Sequence, residues 1–135
     1  MPDSVALPGG FESPSIDGTY KFPGINAKVA GPILLGNLPS KGRVFVVTQA
    51  FVAMVAGAGI TTVPQISCGT DAGVWANIIN TAALTGLAPG NVAPVPLRAQ
   101  YPWITAGQAI NLNIVVAGIA PGAITLVFGV KGEWV

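Results

Sequence analysis

Histidine is absent, cysteine occurs once, and only 8% of the residues are charged. Each shortage excludes something. Without histidine the chain lacks the commonest general base and the commonest metal ligand. One cysteine, Cys68, forbids an internal disulfide, and one cysteine with no histidine makes zinc a poor fit. The five acids are Asp3, Glu12, Asp17, Asp71 and Glu133. They are scattered, and nothing in their spacing builds a glycosidase pair. A net charge of +1 supplies no field that would draw the chain to nucleic acid or an anionic membrane. No asparagine stands in a glycosylation acceptor sequence. The first residues, Met1-Pro2-Asp3-Ser4, carry neither the cationic nor the apolar part of a signal peptide, so synthesis in the cytoplasm is expected.

What the chain has in abundance is apolar surface and turn residues. Hydrophobic residues make up 51% of its 135 positions, with 18 glycines and 12 prolines. That length is one domain's worth and can bury a core without staples. The densest apolar stretch is Val44–Val55, rich in β-branched and aromatic residues that suit a pleated surface. Its odd positions run Phe45, Val47, Gln49, Phe51, Ala53, Val55, and its even positions Val44, Val46, Thr48, Ala50, Val52, Met54. Both faces are mostly apolar, so both need cover. One side is expected to face the domain's own core and the other a neighbouring subunit. The charge-free run from Val44 to Thr70 invites a membrane reading, but Ala72–Leu97 and Ala99–Val130 also lack charge, and glycine, threonine and Pro64 interrupt it. A membrane span is therefore not expected.

Residues 1–40 are punctuated by proline and glycine too closely for any helix. They read as an arm, with short extended pieces at 18–22, 25–30 and 33–35, too apolar to hang free. Residues 41–135 read as the domain proper. A short strand is expected within 61–69, with Pro64 marking an edge or a bulge. Residues 74–84 fit a helical stripe or, less well, a strand. Another short strand is expected near 95–100. The cleanest alternation lies at 109–117, with Ile110, Leu112, Ile114 and Val116 on one face, and at 123–130, with Ile124, Leu126, Phe128 and Val130 on one face. Gly118–Gly122 joins these two strands as a hairpin-length loop. Six to eight strand-length segments with turns between them predict an all-β, two-sheet sandwich.

The motifs closest to known chemistry depart from the patterns that chemistry needs. Gly57-Ala58-Gly59 follows a strand but lacks the third glycine of a dinucleotide fingerprint, and Val63-Pro64 stands where its helix should start. Gly36-Asn37-Leu38-Pro39-Ser40-Lys41-Gly42 has lysine and glycine in the wrong order for a phosphate loop. Lys21, Lys28, Lys41 and Arg43 are too few for a nucleic-acid reader and serve as solubilising charges, or as the docking charges of an arm on an acidic protein. Trp75, Trp103, Tyr20 and Tyr101 are candidates for stacking on sugars, although large aromatics in a β-domain more often anchor cores and interfaces.

The arm ending Ala30-Gly31-Pro32-Ile33-Leu34-Leu35-Gly36, the strand Val44–Val55, the run Thr70–Gly86, and the closing pair Ile110–Val116 and Ile124–Val130 with its terminal Gly132-Glu133-Trp134-Val135 carry a resemblance. The chain resembles the capsid decoration, or cement, proteins of tailed bacteriophages built on a jelly-roll-like β-sandwich. The resemblance implies a homotrimer on the outside of a phage capsid that clamps neighbouring capsomers of the major capsid protein. It implies no enzyme activity, no cofactor or metal, no small-molecule substrate, and no nucleic-acid or membrane partner. On it, Phe11, Tyr20, Lys21, Phe22 and Lys28 of the arm become candidates for contact with the shell. Phe45, Phe51 and Trp134 become candidates for contact between subunits. The alternative is a receptor- or glycan-binding module of a head or tail fibre.

Overall fold

Alternating side chains and frequent turns produce nine strands in the computed structural model, which describes residues 16–70, 76–99 and 102–135. They are β1 (Ile16–Asn26), β2 (Gly31–Asn37), β3 (Val44–Ala56), β4 (Gln65–Thr70), β5 (Ile79–Ala83), β6 (Val92–Val95), β7 (Trp103–Thr105), β8 (Ala109–Val116) and β9 (Thr125–Trp134). No helix occurs among the described residues. One sheet has the order β1-β9-β3-β6, with β7 beside β6 on the same edge of β3, and the other has the order β2-β8-β4-β5. All pairings are antiparallel. The chain changes sheet at most of its connections, and the order is that of a jelly roll, with β6 and β7 sharing one strand's place.

Residues 16–37 belong to this sandwich, which corrects the expected arm over 1–40. β1 pairs along β9 from Ile16↔Trp134 to Asn26↔Thr125, and β2 pairs with β8. Pro23-Gly24 does not end β1. It forms a bulge between Phe22 and Ile25, with Gly24 at φ 74°, a conformation glycine adopts without a Cβ penalty. β1 and β2 are edge strands, where proline is tolerated because one side of the backbone has no partner to lose. Frequent proline and glycine therefore excluded helix here without excluding sheet. Residues 1–15 lie outside the described residues, and with them the rest of the expected arm.

The core lies between the sheets. Ile110, Leu112 and Ile114 of β8 face Leu126, Phe128 and Val130 of β9 across it, with Ile66, Cys68 and Ile79 completing the second sheet's inner side. The alternation expected for both strands holds, but the expected hairpin does not. β8 pairs with β2 and β4, β9 pairs with β1 and β3, and the loop between them crosses from one sheet to the other. Alternation reports which face is buried and is silent on which strand lies alongside. Residues 79–83 of the ambiguous 74–84 segment form strand β5. The strand expected near 95–100 lies earlier, at Val92–Val95.

The central strand departs from strict alternation. Phe45 and Val47 point into the core, and then Ala50, Val52 and Met54 do. Between them Thr48 and Gln49 are both exposed, and the register against β9 slips between Val47↔Gly132 and Gln49↔Lys131. This is a β-bulge, in which one extra residue flips every later side chain to the opposite face. The Thr48 hydroxyl donates to the Lys131 carbonyl, 3.1 Å away. The two faces read from the sequence are thus cut and exchanged at 48–49.

Two glycines of β9 make room for β3. A Cβ on Gly132 would run into the Val46 carbonyl oxygen and lie 3.0 Å from the Phe45 ring. The atoms nearest to a Cβ on Gly129 are all at the far end of the Phe51 ring, on the outer face, where the ring can swing outward. Gly132→Ala is expected to lower stability by about 1–3 kcal/mol or more, as overpacked interiors do, and Gly129→Ala by clearly less. Urea midpoints of the two variants measure this. Equal midpoints would contradict the packing described for β9.

Candidate interaction surfaces

The first sheet has an apolar outer face. Val44, Val46, Phe51, Ala53 and Val55 of β3 point outward, flanked by Val92 and Pro94 of β6, Trp103 of β7 and Val127 of β9. Cross-strand partners set Trp103 beside Val46, Pro94 beside Phe51 and Val92 beside Ala53. Three of these side chains are largely open to solvent: Trp103 at 64%, Val92 at 64% and Val55 at 61%. Thr48, Gln49, Thr105, Lys131 and Glu133 lie around them. The second sheet differs. Its outer face is more polar, carrying Gln65, Ser67, Asn111 and Asn113, of which Ser67 and Asn111 are buried, together with exposed Leu34 on the edge strand and Val115. On the first sheet, Thr48, Gln49 and Lys131 cross the outer face between Trp103 with Val46 and Phe51 with Pro94, so it holds two apolar patches, one with a tryptophan and one with a phenylalanine, the residue types that anchor protein–protein interfaces.

The expected subunit contacts divide at the bulge. Phe51 lies on this outer face, half-buried over Gly129. Phe45 and Trp134 do not, since both are buried inside the protomer. Their rings lie 5.3 Å apart, and Tyr20 packs edge-on to Phe45 at the same distance. The Trp134 indole N–H donates to the Tyr20 hydroxyl at 2.8 Å. The two ends of the domain are therefore fastened together, with β9 between β1 and β3. Arg43 and Val44 donate their backbone N–H groups to the Val135 carbonyl, and the Val135 N–H donates to the Val44 carbonyl. A large aromatic next to a chain's last residue read as a surface anchor, but it closes the core. Among the described aromatics it is Trp103 that is exposed, a residue whose sequence context suits either sugar stacking or an interface.

The shell-contact candidates fare unevenly. Phe11 lies outside the described residues. Tyr20 and Phe22 are half-buried and pack on the core, so both serve the fold. Lys21 is exposed. Lys28 is exposed, yet its ammonium donates to the Ala120 and Gly122 carbonyls, each 3.0 Å away, and so holds the β8–β9 loop. Of the stacking aromatics, Trp75 and Tyr101 fall outside the described residues.

A separate feature gathers at one end of the sandwich, where four loops meet. Gly118 N–H donates to the Ala27 carbonyl, Thr61 N–H to the Ile119 carbonyl, and Gly90 N–H to the Met54 carbonyl. Ala56–Gly59, Pro89 and Pro121–Ala123 enclose a shallow hollow of about 510 Å³. At the other end lie Lys41, Arg43, Glu133 and Val135.

Chemistry finds little purchase on these surfaces. Among the described residues, no group of three His, Cys, Asp or Glu side chains is placed to hold a metal ion. No helix of the described residues is long and apolar enough to cross a membrane. Cys68 is buried, and burial pushes its thiol up from 9.0 to about 12 by disfavouring the thiolate. The folded protein is therefore expected to resist a thiol reagent at pH 8 and to react only at the rate it unfolds. Because the folded value is raised, the thiol's contribution to stability is whole below pH 9 and is lost as pH climbs towards 12. Rapid labelling of native protein would contradict this placement.

No family model and no curated protein sequence matches the chain. Among solved structures, a chain of the cyanophage Pam1 capsid asymmetric unit has a similar fold, with a TM-score of 0.52 and 18% sequence identity. The match covers 97% of this chain and 93% of that one, so the two are nearly equal in length, and at this identity what they share is the fold.

Proposed function

We propose that the protein is a structural component of a phage virion that binds the outside of the capsid as a trimer and stabilises contacts between capsomers. The observation that carries this reading is the end-to-end match with a chain of a phage capsid asymmetric unit. It takes in almost all of both chains, so the likeness runs through the whole sandwich and not through a short segment of it. The apolar outer face of β3 supports assembly, since a lone protomer would leave Trp103, Val92 and Val55 in water. A three-fold ring joins unlike surfaces, so this face of one copy meets a different surface of the next and closes without free ends. Phe51, Val46 and Trp103 are the proposed subunit contacts, taking the place of Phe45 and Trp134. A role in holding a shell together needs no turnover, which agrees with the scattered acids and missing histidine. Partners are then further copies of the chain and the major capsid protein, and the place of action is the virion surface.

Electron microscopy of virions made with and without the protein tests this. Trimeric density on the shell that disappears from the deletion particles, together with greater sensitivity to heat or chelation, is expected. Particles of unchanged density and stability would overturn it. Trp103 is the one stacking aromatic left exposed among the described residues, and Tyr20 is half-buried against Phe45, so no second described aromatic joins Trp103 in a stacking platform.

A further inference from the structure

The loop end of the sandwich is unlike the rest of the surface. It comprises residues 27–30, 57–64, 84–91 and 117–124, which join β1 to β2, β3 to β4, β5 to β6 and β8 to β9. Lys28 is the single charged residue in all four loops. Its ammonium is already engaged by two carbonyls of the neighbouring loop. The exposed side chains are otherwise uncharged: Val29 at 62% and Ile119 at 57% are the large apolar ones, with Thr61, Thr85 and Asn91 the polar ones, and Ala58, Pro89, Pro121 and Ala123 line the hollow. Val55 and Val92 lie next to these loops on the outer sheet face, so the apolar surface continues round the corner. Among the described residues the other charges lie away from this end.

We infer that this loop end is the surface by which the protein seats on its shell, and that its partner there is an uncharged, apolar protein surface repeated in the coat lattice. The inference rests on the capsid reading. Two observations and one consequence of the proposed trimer favour such an occupant. A surface without free charge cannot choose a charged partner, because bringing a charge against it strips that charge of water with nothing in return. A membrane surface needs a cationic fringe or interfacial tryptophan and tyrosine, and the four loops hold neither. In the proposed trimer, with its axis taken along the sandwich, three loop ends would lie on the same side. A modest contact repeated three times against a lattice then becomes tight through effective concentration alone. The charged end, with Lys41 and Arg43, is left towards solvent.

The test uses full-length protein and coat-protein shells of the virus that encodes it, with co-sedimentation at 0.1 M and 1 M NaCl. Wild-type binding is expected to hold or tighten at high salt, since exposed charges do not carry it. The double variant Val29→Glu, Ile119→Glu is expected to lose at least a hundredfold in affinity while keeping the wild-type mass and melting temperature. Lys41→Glu, Arg43→Glu at the other end is expected to bind as wild type. Flotation with phosphatidylcholine vesicles is expected to leave the protein unbound. Wild-type affinity in the Val29, Ile119 variant overturns the loop-end assignment and leaves the capsid reading standing. Dissociation of that variant into protomers also overturns it, by making the loop end a subunit contact. Binding to the vesicles overturns the choice of a protein partner. Wild-type protein that ignores the shells sinks the capsid reading and this inference together.

Discussion

Trp134→Ala is expected to cost about 3–5 kcal/mol, the range for deleting a fully buried large aromatic side chain. Domains of this size have only about 5–15 kcal/mol in hand, so the variant should sit near the limit of folding. The effect is large because the side chain does several things. It fills the space between β1 and β3 against Phe45, and its N–H satisfies the Tyr20 hydroxyl. Tyr20→Phe separates these roles. It removes the hydrogen bond, keeps the ring, and should cost roughly 1 kcal/mol. Denaturant titrations of both variants make the comparison. A Trp134→Ala protein as stable as wild type but altered in mass would return this residue to the subunit interface and contradict its place in the core.

Trp103→Glu is expected to do the opposite. Trp103 pairs with Val46 at the end of β3 and exposes most of its ring, so the protomer loses little by its replacement. At an interface a buried tryptophan is typically worth 2 kcal/mol or more, which is about thirtyfold in affinity at each contact. A glutamate there would also bring an unpaired charge into an apolar contact. The proposed trimer should fall apart into folded protomers at micromolar concentration, with the melting transition still cooperative. Phe51→Glu should act in the same direction, less strongly, because Phe51 also shields the gap over Gly129. An unchanged assembly in the Trp103→Glu variant would remove this face from the subunit contacts.

The two variants show where the sequence was readable. The alternation of β8 and β9 identified their inward faces correctly, because each side chain there answers only to the pleat. In β3 the same rule put Phe45 and Phe51 together, and the bulge separated them. The adjacent polar pair Thr48-Gln49 was the available signal, since two polar residues in succession do not fit a strand with apolar faces. β1 and β2 were hidden by proline and glycine, which mark turns in the middle of a sheet but are accepted at its edges. The partner of each strand was illegible for a general reason: jelly-roll neighbours lie far apart in sequence, as when β1 pairs with β9. The loop end was legible in principle. Its four segments are each short and nearly free of charge, but only the fold brings them together.

Sedimentation equilibrium of the purified full-length chain tests the central claim most directly. The account predicts a single species of three times the 13.6 kDa protomer mass, stable on dilution to about a micromolar and converted to protomers by Trp103→Glu. A monodisperse, fully soluble protomer at tens of micromolar, with the first sheet's outer face in water, would contradict it.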